Sequence, residues 1–291
     1  MSYLNYVEPT SRVYIKNAKS YQLATPSEVD NINKYESIIK QAVAFYEDNL
    51  SNDKINYVYK EKNNIQILPV KYKKENFPHL TGINFDSSSA IEKFDYLKNG
   101  GNNKVIIIER GINTFKKLQV LHKIPDLIKA ESTVLTQLQN VRQSKTIGFS
   151  KGIKDSDNKL LIALQNFQPE FYQPKSLLNI KDDNTYANIP ENTVLGIFKE
   201  KDIENGIKIE PISLNKDSLN NITITTEMLI GMKKYADELG KKRIKERNIS
   251  EKKKTLESSE EPSHAKKLTV KVDPKAQEIA LRRMRDQGLE R

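Results

Sequence analysis

An α+β fold is predicted, and three observations predict it. A capped amphipathic helix near the N-terminus is followed by two β-rich runs joined by a short polar turn. Hairpin-like runs return after residue 145, and the chain ends in a charged segment with little apolar content. Together these give a compact antiparallel sheet with packed helices, plus a charged, helical or disordered C-terminal tail.

Residues 1–24 are mixed and aperiodic and read as a flexible lead-in. Thr25-Pro26-Ser27-Glu28 starts a helix, with Thr at the cap, Pro in the first turn and Glu three residues on. Ile32, Tyr35, Ile39, Ala42, Val43 and Tyr46 then fall on one face and predict core packing, ending near Leu50. Ile55–Lys60 and Ile65–Lys71 read as strands around the turn Glu61-Lys62-Asn63-Asn64. Phe77-Pro78-His79-Leu80-Thr81-Gly82 follows, and is read as a sheet rim that presents His79.

A helix is expected from about Asp86-Ser87-Ser88 to Asn99-Gly100-Gly101, and Val105–Glu109 is strand or helix. Asn113 caps a helical pattern that Pro125 interrupts, and Asp126–Val141 is expected to continue it. Lys145–Phe149 and Leu160–Leu164 are expected as strands flanking a turn over Gly152–Asn158. Phe171–Ser176, Val194–Phe198 and Ile207–Ile209 follow, the last two around Asn205-Gly206. Thr226 caps an amphipathic helix over Met228–Leu239. Lys241–Ser263 reads as solvated helix or disordered chain, and Val272–Leu289 as a short basic helix.

Composition narrows the chemistry. There is no Cys, which excludes disulfides, iron–sulfur clusters and thiolate nucleophiles and fits a reducing cytosol. His79, His122 and His264 show no zinc-ligand spacing, and His122 reads as a helix-surface or core residue. No basic-then-apolar leader opens the sequence and no apolar run approaches a membrane span, so a cytoplasmic protein without a membrane partner is expected.

The net charge of +10 points to nucleic acid or another polyanion. Most of it lies in residues 241–291, where 16 Lys and Arg face 9 Asp and Glu.

No phosphate-binding loop, dinucleotide fingerprint, nucleophile elbow or carboxylate metal cluster is present. An imidazole, hydroxyls and cations from separate β segments remain. That set suits RNA cleavage by attack of the ribose 2′-hydroxyl on the adjacent phosphodiester, without metal or cofactor. His79 is the candidate acid or base. Thr81 shares its face if the backbone there is extended. Lys145 and Lys151 are candidate phosphate contacts, with a solvated lysine as the alternative for each.

The run Phe77-Pro78-His79-Leu80-Thr81-Gly82-Ile83, after a hairpin and ahead of Tyr172-Gln173-Pro174-Lys175-Ser176-Leu177, resembles the phage-type barnase–EndoU–colicin–RelE-like nucleases, fourth subfamily. The resemblance covers roughly residues 30–210. It implies a barnase/EndoU/RelE-like α+β RNase fold with an antiparallel sheet, of the kind found in phages and mobile elements, with RNA as substrate and an immunity or host protein as a further partner.

Carried over by residue, the resemblance makes His79 and Ser176 catalytic and draws Thr81, Tyr172 and Lys175 into the same two motifs. Ser176 reads equally as a helix cap before Leu177-Leu178, and Tyr172 as a core residue. No second histidine stands in place for an EndoU-like pair. The implied organisation is a lead-in at 1–24, a nuclease-like domain at 25–215, an amphipathic helix at 216–240 and a basic tail at 241–291. The competing expectation is a non-catalytic nucleic-acid- or protein-binding factor that works through Lys241–Lys254.

Overall fold

The computed structural model describes residues 2–257, apart from Lys16, Asn52, Asn102, Gln139, Asn140, Ala187, Glu204 and Asn205, together with Lys271–Val272. The first half runs β1 (Tyr21–Leu23), α1 (Pro26–Asn33), α2 (Glu36–Asn49), β2 (Lys54–Glu61), β3 (Asn64–Lys71), α3 (Phe77–Thr81), β4 (Ile83–Phe85), α4 (Ala90–Asn99), β5 (Ile106–Glu109) and α5 (Asn113–Val120). The second half runs β6 (Thr133–Leu135), α6 (Arg142–Ile147), β7 (Lys151–Lys154), β8 (Leu160–Gln168), β9 (Phe171–Asn179), β10 (Glu191–Ile203), β11 (Gly206–Leu214), α7 (Lys216–Asn220) and α8 (Ile222–Glu257).

The larger sheet is barrel-like. Seven strands close a ring in the order β10-β2-β3-β9-β8-β7-β6 and back to β10. Closure depends on the length of β10. Glu191–Thr193 pair with β6, and the rest of the strand turns onto β2. Leu195 is skipped between the Val194↔Tyr59 and Gly196↔Val58 pairs, a bulge that bends β10 between its two partners. All ring pairings are antiparallel except β3–β9, which meet in parallel at Val70 and Tyr172. The expected antiparallel sheet is therefore corrected to a closed ring with one parallel seam.

Alternation along the strands separates two faces. On β2, Ile55, Tyr57 and Tyr59 belong to the main core, together with Leu68, Val70, Ile162, Leu177 and Ile197. Val58 faces the other way, under α8, where Met228, Met232 and Ala236 cover Leu195, Phe198, Ile207 and Ile209. A Cβ at Gly196 would lie 3.0 Å from Phe198 and 3.1 Å from the Met228 sulfur, so glycine lets this helix sit close. A third cluster joins Leu138, Val141 and Phe149 to Leu161 and Ala163 on the outer face of β8. Helices α2–α5 add their apolar faces to the main core, with β1, β5 and β4 as a small second sheet.

Several expectations are corrected here. Residues 1–24 are not all loose: Tyr3 and Leu4 are buried, the Leu4 amide donates to Asn33 Oδ1 at 2.9 Å, and β1 pairs with β5. The capping box at Thr25 and Glu28 is present, but the helix breaks at Lys34-Tyr35. Asp126–Val141 is not a continued helix. A 3₁₀ segment spans Leu121–Ile128 with Pro125 inside it, and the β-branched pair Thr133-Val134 then enters the ring as β6.

Lys145–Phe149 is not a strand either; Arg142–Ile147 form α6. Helix α8 extends through Glu257, well beyond Leu239. His264 and most of Val272–Leu289 lie outside the described residues, while Lys271–Val272 pair in parallel with β11.

Candidate active site

The His79 segment is a short helix, α3, and not a strand rim. Pro78 in its first turn and Gly82 at its end, with φ +74°, supply a start and a stop. Phe77 and Leu80 anchor it. The Phe77 ring meets Tyr46 at 5.1 Å and Phe94 at 5.7 Å between centroids, both edge-on.

Helical backbone overturns the shared strand face expected for Thr81. Its hydroxyl is buried, donates to the Pro78 carbonyl at 2.9 Å and accepts from the Ile83 amide at 3.1 Å. Thr81 therefore shapes the turn from within.

Beneath α3 the buried ammonium of Lys117 donates to the His79 carbonyl at 2.9 Å and to Glu109 Oε1 at 2.5 Å. Thr114 adds a hydroxyl bond to the Gly82 carbonyl at 3.1 Å and accepts from the Glu109 amide at 3.0 Å. The main chain of His79 is thus fixed from below while its side chain is exposed. Among the described residues the imidazole makes no hydrogen bond or ion pair. Loss of hydration beside α3 lowers its pKa first, and the cations Lys117, Lys175 and Lys93 lower it further, against an opposing pull from Glu109. The neutral ring is favoured.

Strand β9 supplies the second wall, since α3 packs along it. Its pairing with β8 passes from Ala163↔Ser176 to Leu164↔Pro174, leaving Lys175 as the extra residue of a bulge. Bulges re-aim side chains at sheet edges, and here Lys175 is exposed within the field felt by His79.

Ser176 goes elsewhere. It lies mid-strand, so it caps no helix. It is buried opposite Ala163 of the outer cluster, and its Oγ reaches the Leu177 carbonyl only at 3.5 Å. No hydrogen bond joins it to His79 among the described residues.

Tyr172 and Lys151 do meet. The Lys151 ammonium lies 5.1 Å from the Tyr172 ring centroid, 5.9 Å from that of Tyr59, and 3.4 Å from the Tyr59 hydroxyl. Burial lowers the Lys151 pKa and raises that of Tyr172, while Ser150 hydrogen-bonds the Tyr172 hydroxyl and pulls it back. Lys145 joins neither group and is exposed on α6.

The structure therefore sets Lys151 against Tyr172 and puts Lys175 where its charge reaches the His79 imidazole, two pairs in all. They are linked along β9 by a three-residue step of roughly 10 Å. Lys117, Lys93 and Glu109 escape a sequence reading. The one available signal is spacing: Thr114, Lys117, Leu118 and Leu121 recur at three- and four-residue intervals, which puts Lys117 on an apolar face.

Chemically, the His79 corner offers a neutral proton acceptor surrounded by positive charge, suited to an anionic phosphodiester. Among the described residues no group of three or more His, Asp or Glu side chains is arranged to hold a metal ion. An open depression of about 550 Å³ between Lys60, Glu191, Thr193, Asn215 and Asp217 contains none of these residues. No described helix is long and apolar enough to cross a membrane.

A family model described as phage-Barnase-EndoU-ColicinE5/D-RelE like nuclease4 matches residues 38–216, more than half of the chain. The match runs from within α2 to the start of α7 and includes the whole ring, α3 and both pairs. No curated protein and no solved structure matches the chain.

Proposed function

The chain belongs to the phage-Barnase-EndoU-ColicinE5/D-RelE like nuclease4 family, and from that premise we propose that it is a metal-independent endoribonuclease with His79 as its proton-transfer group. One observation carries the reading: the imidazole is exposed and uncommitted on a backbone that buried groups hold in place. At neutral pH the favoured form is the free base. It takes the 2′-hydroxyl proton as the 2′ oxygen bonds to phosphorus. The P–O5′ bond then breaks, the 5′ oxygen takes a proton from water, the hydroxide so formed recovers the proton held by His79, and a 2′,3′-cyclic phosphate remains. Lys175 and Lys93 offset the charge gathered on the phosphorane, while Lys117 holds the His79 main chain. Tyr172 and Lys151 contact the neighbouring nucleotide. Ser176 and Thr81 take no part in proton transfer in this reading, because both hydroxyls are buried.

Incubating the purified full chain with tRNA and structured RNA in EDTA tests the proposal. Cyclic-phosphate ends are expected, with cleavage reduced about 10²–10⁴-fold in His79→Ala. No cleavage, or cleavage indifferent to that substitution, would sink it.

A second reading has one observation behind it. Lys241, Lys242 and Lys245 are exposed on α8 just past Leu239, the last of the described residues packed on its apolar cluster. If binding through this segment were the whole function, truncation after Gly240 would abolish it, whereas a nuclease core would still cut.

A further inference from the structure

The β8–β9 hairpin ends in an arrangement that the His79 chemistry does not use. Phe167 is 57% exposed, a large apolar side chain in open solvent. It is the extra residue of a second bulge, skipped between the Asn166↔Tyr172 and Gln168↔Phe171 pairs, so the ladder turns its ring away from the strand's regular alternation. The ring stacks on Phe171 at 6.3 Å between centroids and 29° between planes. Lys73 stands over the Phe167 ring at 5.6 Å and Lys71 over the Phe171 ring at 5.7 Å. An ion pair from Lys242 of α8 to Glu170 braces the turn below.

We propose that this hairpin tip is a stacking platform for single-stranded nucleic acid, which holds a base against Phe167 or Phe171 and phosphates on Lys71 and Lys73. The inference rests on the nuclease reading only for the direction in which the strand then runs. Relative strengths favour the exchange. An exposed lysine–ring contact is worth about two- to fivefold in an equilibrium, while a base stacked on an aromatic ring is worth about five- to 150-fold. A lysine that leaves its ring for a phosphate gives up the weaker contact and opens the ring to the stronger one. The partner is a polyanion with flat faces, since the patch joins cations to rings and the acid of the hairpin turn, Glu170, is already paired.

Position gives the platform a register. From Phe171 to Lys175 beside His79 is four residues of β9, roughly 13 Å. That is about four stacked nucleotide steps at about 3.4 Å each. A base on the platform and a phosphate at His79 can therefore belong to one short strand.

The test uses the full chain carrying His79→Ala, so that cutting is slow against the time of a binding measurement. Binding of fluorescein-labelled 12-nucleotide RNA and DNA of one unstructured sequence is followed by anisotropy from 50 to 300 mM salt. Phe167→Ala is expected to weaken both about five- to 50-fold, and Phe167→Trp to restore them. Lys71→Gln and Lys73→Gln should each lower the salt slope by about 0.7. Fluorescence of a 2-aminopurine base, quenched on binding the parent, should recover in Phe167→Ala.

Equal affinity and equal quenching in Phe167→Ala would overturn the platform, even if the unsubstituted chain cuts RNA. A chain that cuts nothing but shows the Phe167 effect would keep the platform and remove the nuclease.

Discussion

The α3 corner and the β8–β9 hairpin tip both present side chains to solvent, but they are built in opposite ways. At α3 three backbone carbonyls around His79 are tied to buried side chains: Lys117 to that of His79, Thr114 to that of Gly82 and Thr81 to that of Pro78. At the hairpin tip exposed Phe167 and half-buried Phe171 meet each other and two lysines, and the bracing ion pair from α8 is only partly buried. The first construction fixes one proton-transfer group against drift; the second leaves contacts that a ligand can exchange. Geometry matters most where a proton must move, because a misplacement of about 1 Å costs roughly 10²-fold in rate. Capture tolerates looser positioning.

Removing the tie beneath His79 should break this contrast with the largest effect. Lys117→Ala leaves Glu109 without its buried partner, a loss of about 3–5 kcal/mol for a broken buried ion pair, and frees the His79 carbonyl. Urea unfolding should register the loss, and cleavage should fall with it. Pairing Lys117→Met with Glu109→Leu should recover much of the stability, because no buried charge is then left alone, but not the anchor on His79. A Lys117→Ala chain as stable as the parent would mean that the corner is held by something else.

Gly82→Ala should come next. The residue sits at φ +74°, and an added Cβ would lie 3.0 Å from Thr114 Oγ1 and 3.3 Å from Glu109 Cδ. Left-handed backbone costs a non-glycine residue about 1–2 kcal/mol, and the contacts push on the same Thr114–Glu109–Lys117 group. A lower unfolding midpoint is expected, with cleavage reduced beyond what the unfolded fraction explains. An unchanged rate per folded molecule would separate the turn from the chemistry.

How much of this was legible in the sequence depends on range. The β2–β3 hairpin and the Thr25 capping box are local, each specified by residues a few positions apart, and both were readable. His79 stood out as an imidazole in a Pro/Gly-bounded segment. The same Pro and Gly signalled a helix, since Pro suits a first turn and Gly a left-handed stop, yet the preceding strands favoured the wrong reading.

Closure of the ring was not readable. It depends on three residues of β10 meeting β6 across 56 to 60 positions, and on a bulge that pattern alone does not announce. The placing of Ser176 was hidden for a related reason. The Lys175 bulge shifts which side chains share a face, and Ser176 ends buried opposite Ala163. Lys117 was missed because lysine is read as surface by default, and only its partner Glu109, eight positions back and unmarked in pattern, makes its burial tolerable.

The smallest effect sharpens the comparison most finely. Lys175 is exposed and among the described residues makes no ion pair, so Lys175→Gln should change stability by less than about 0.5 kcal/mol. Its charge nonetheless disfavours the imidazolium of His79, after desolvation and Lys117, and its removal should raise the His79 pKa part of the way toward the ordinary value. The sign then follows. A base must be neutral, so the acid limb of the cleavage profile should move to higher pH in Lys175→Gln.

Stability carries the same signature through the unfolded chain. A histidine whose folded pKa is depressed contributes fully above its unfolded value of about 6.5 and loses that contribution as pH falls toward the folded value. Lys175→Gln narrows that window. NMR titration of the ring protons of His79 gives the pKa directly, with His79→Ala assigning the resonance among three histidines. A limb and a resonance that stay put, or move to lower pH, would mean that Lys175 does not act on this imidazole, and β9 would lose its place in the site.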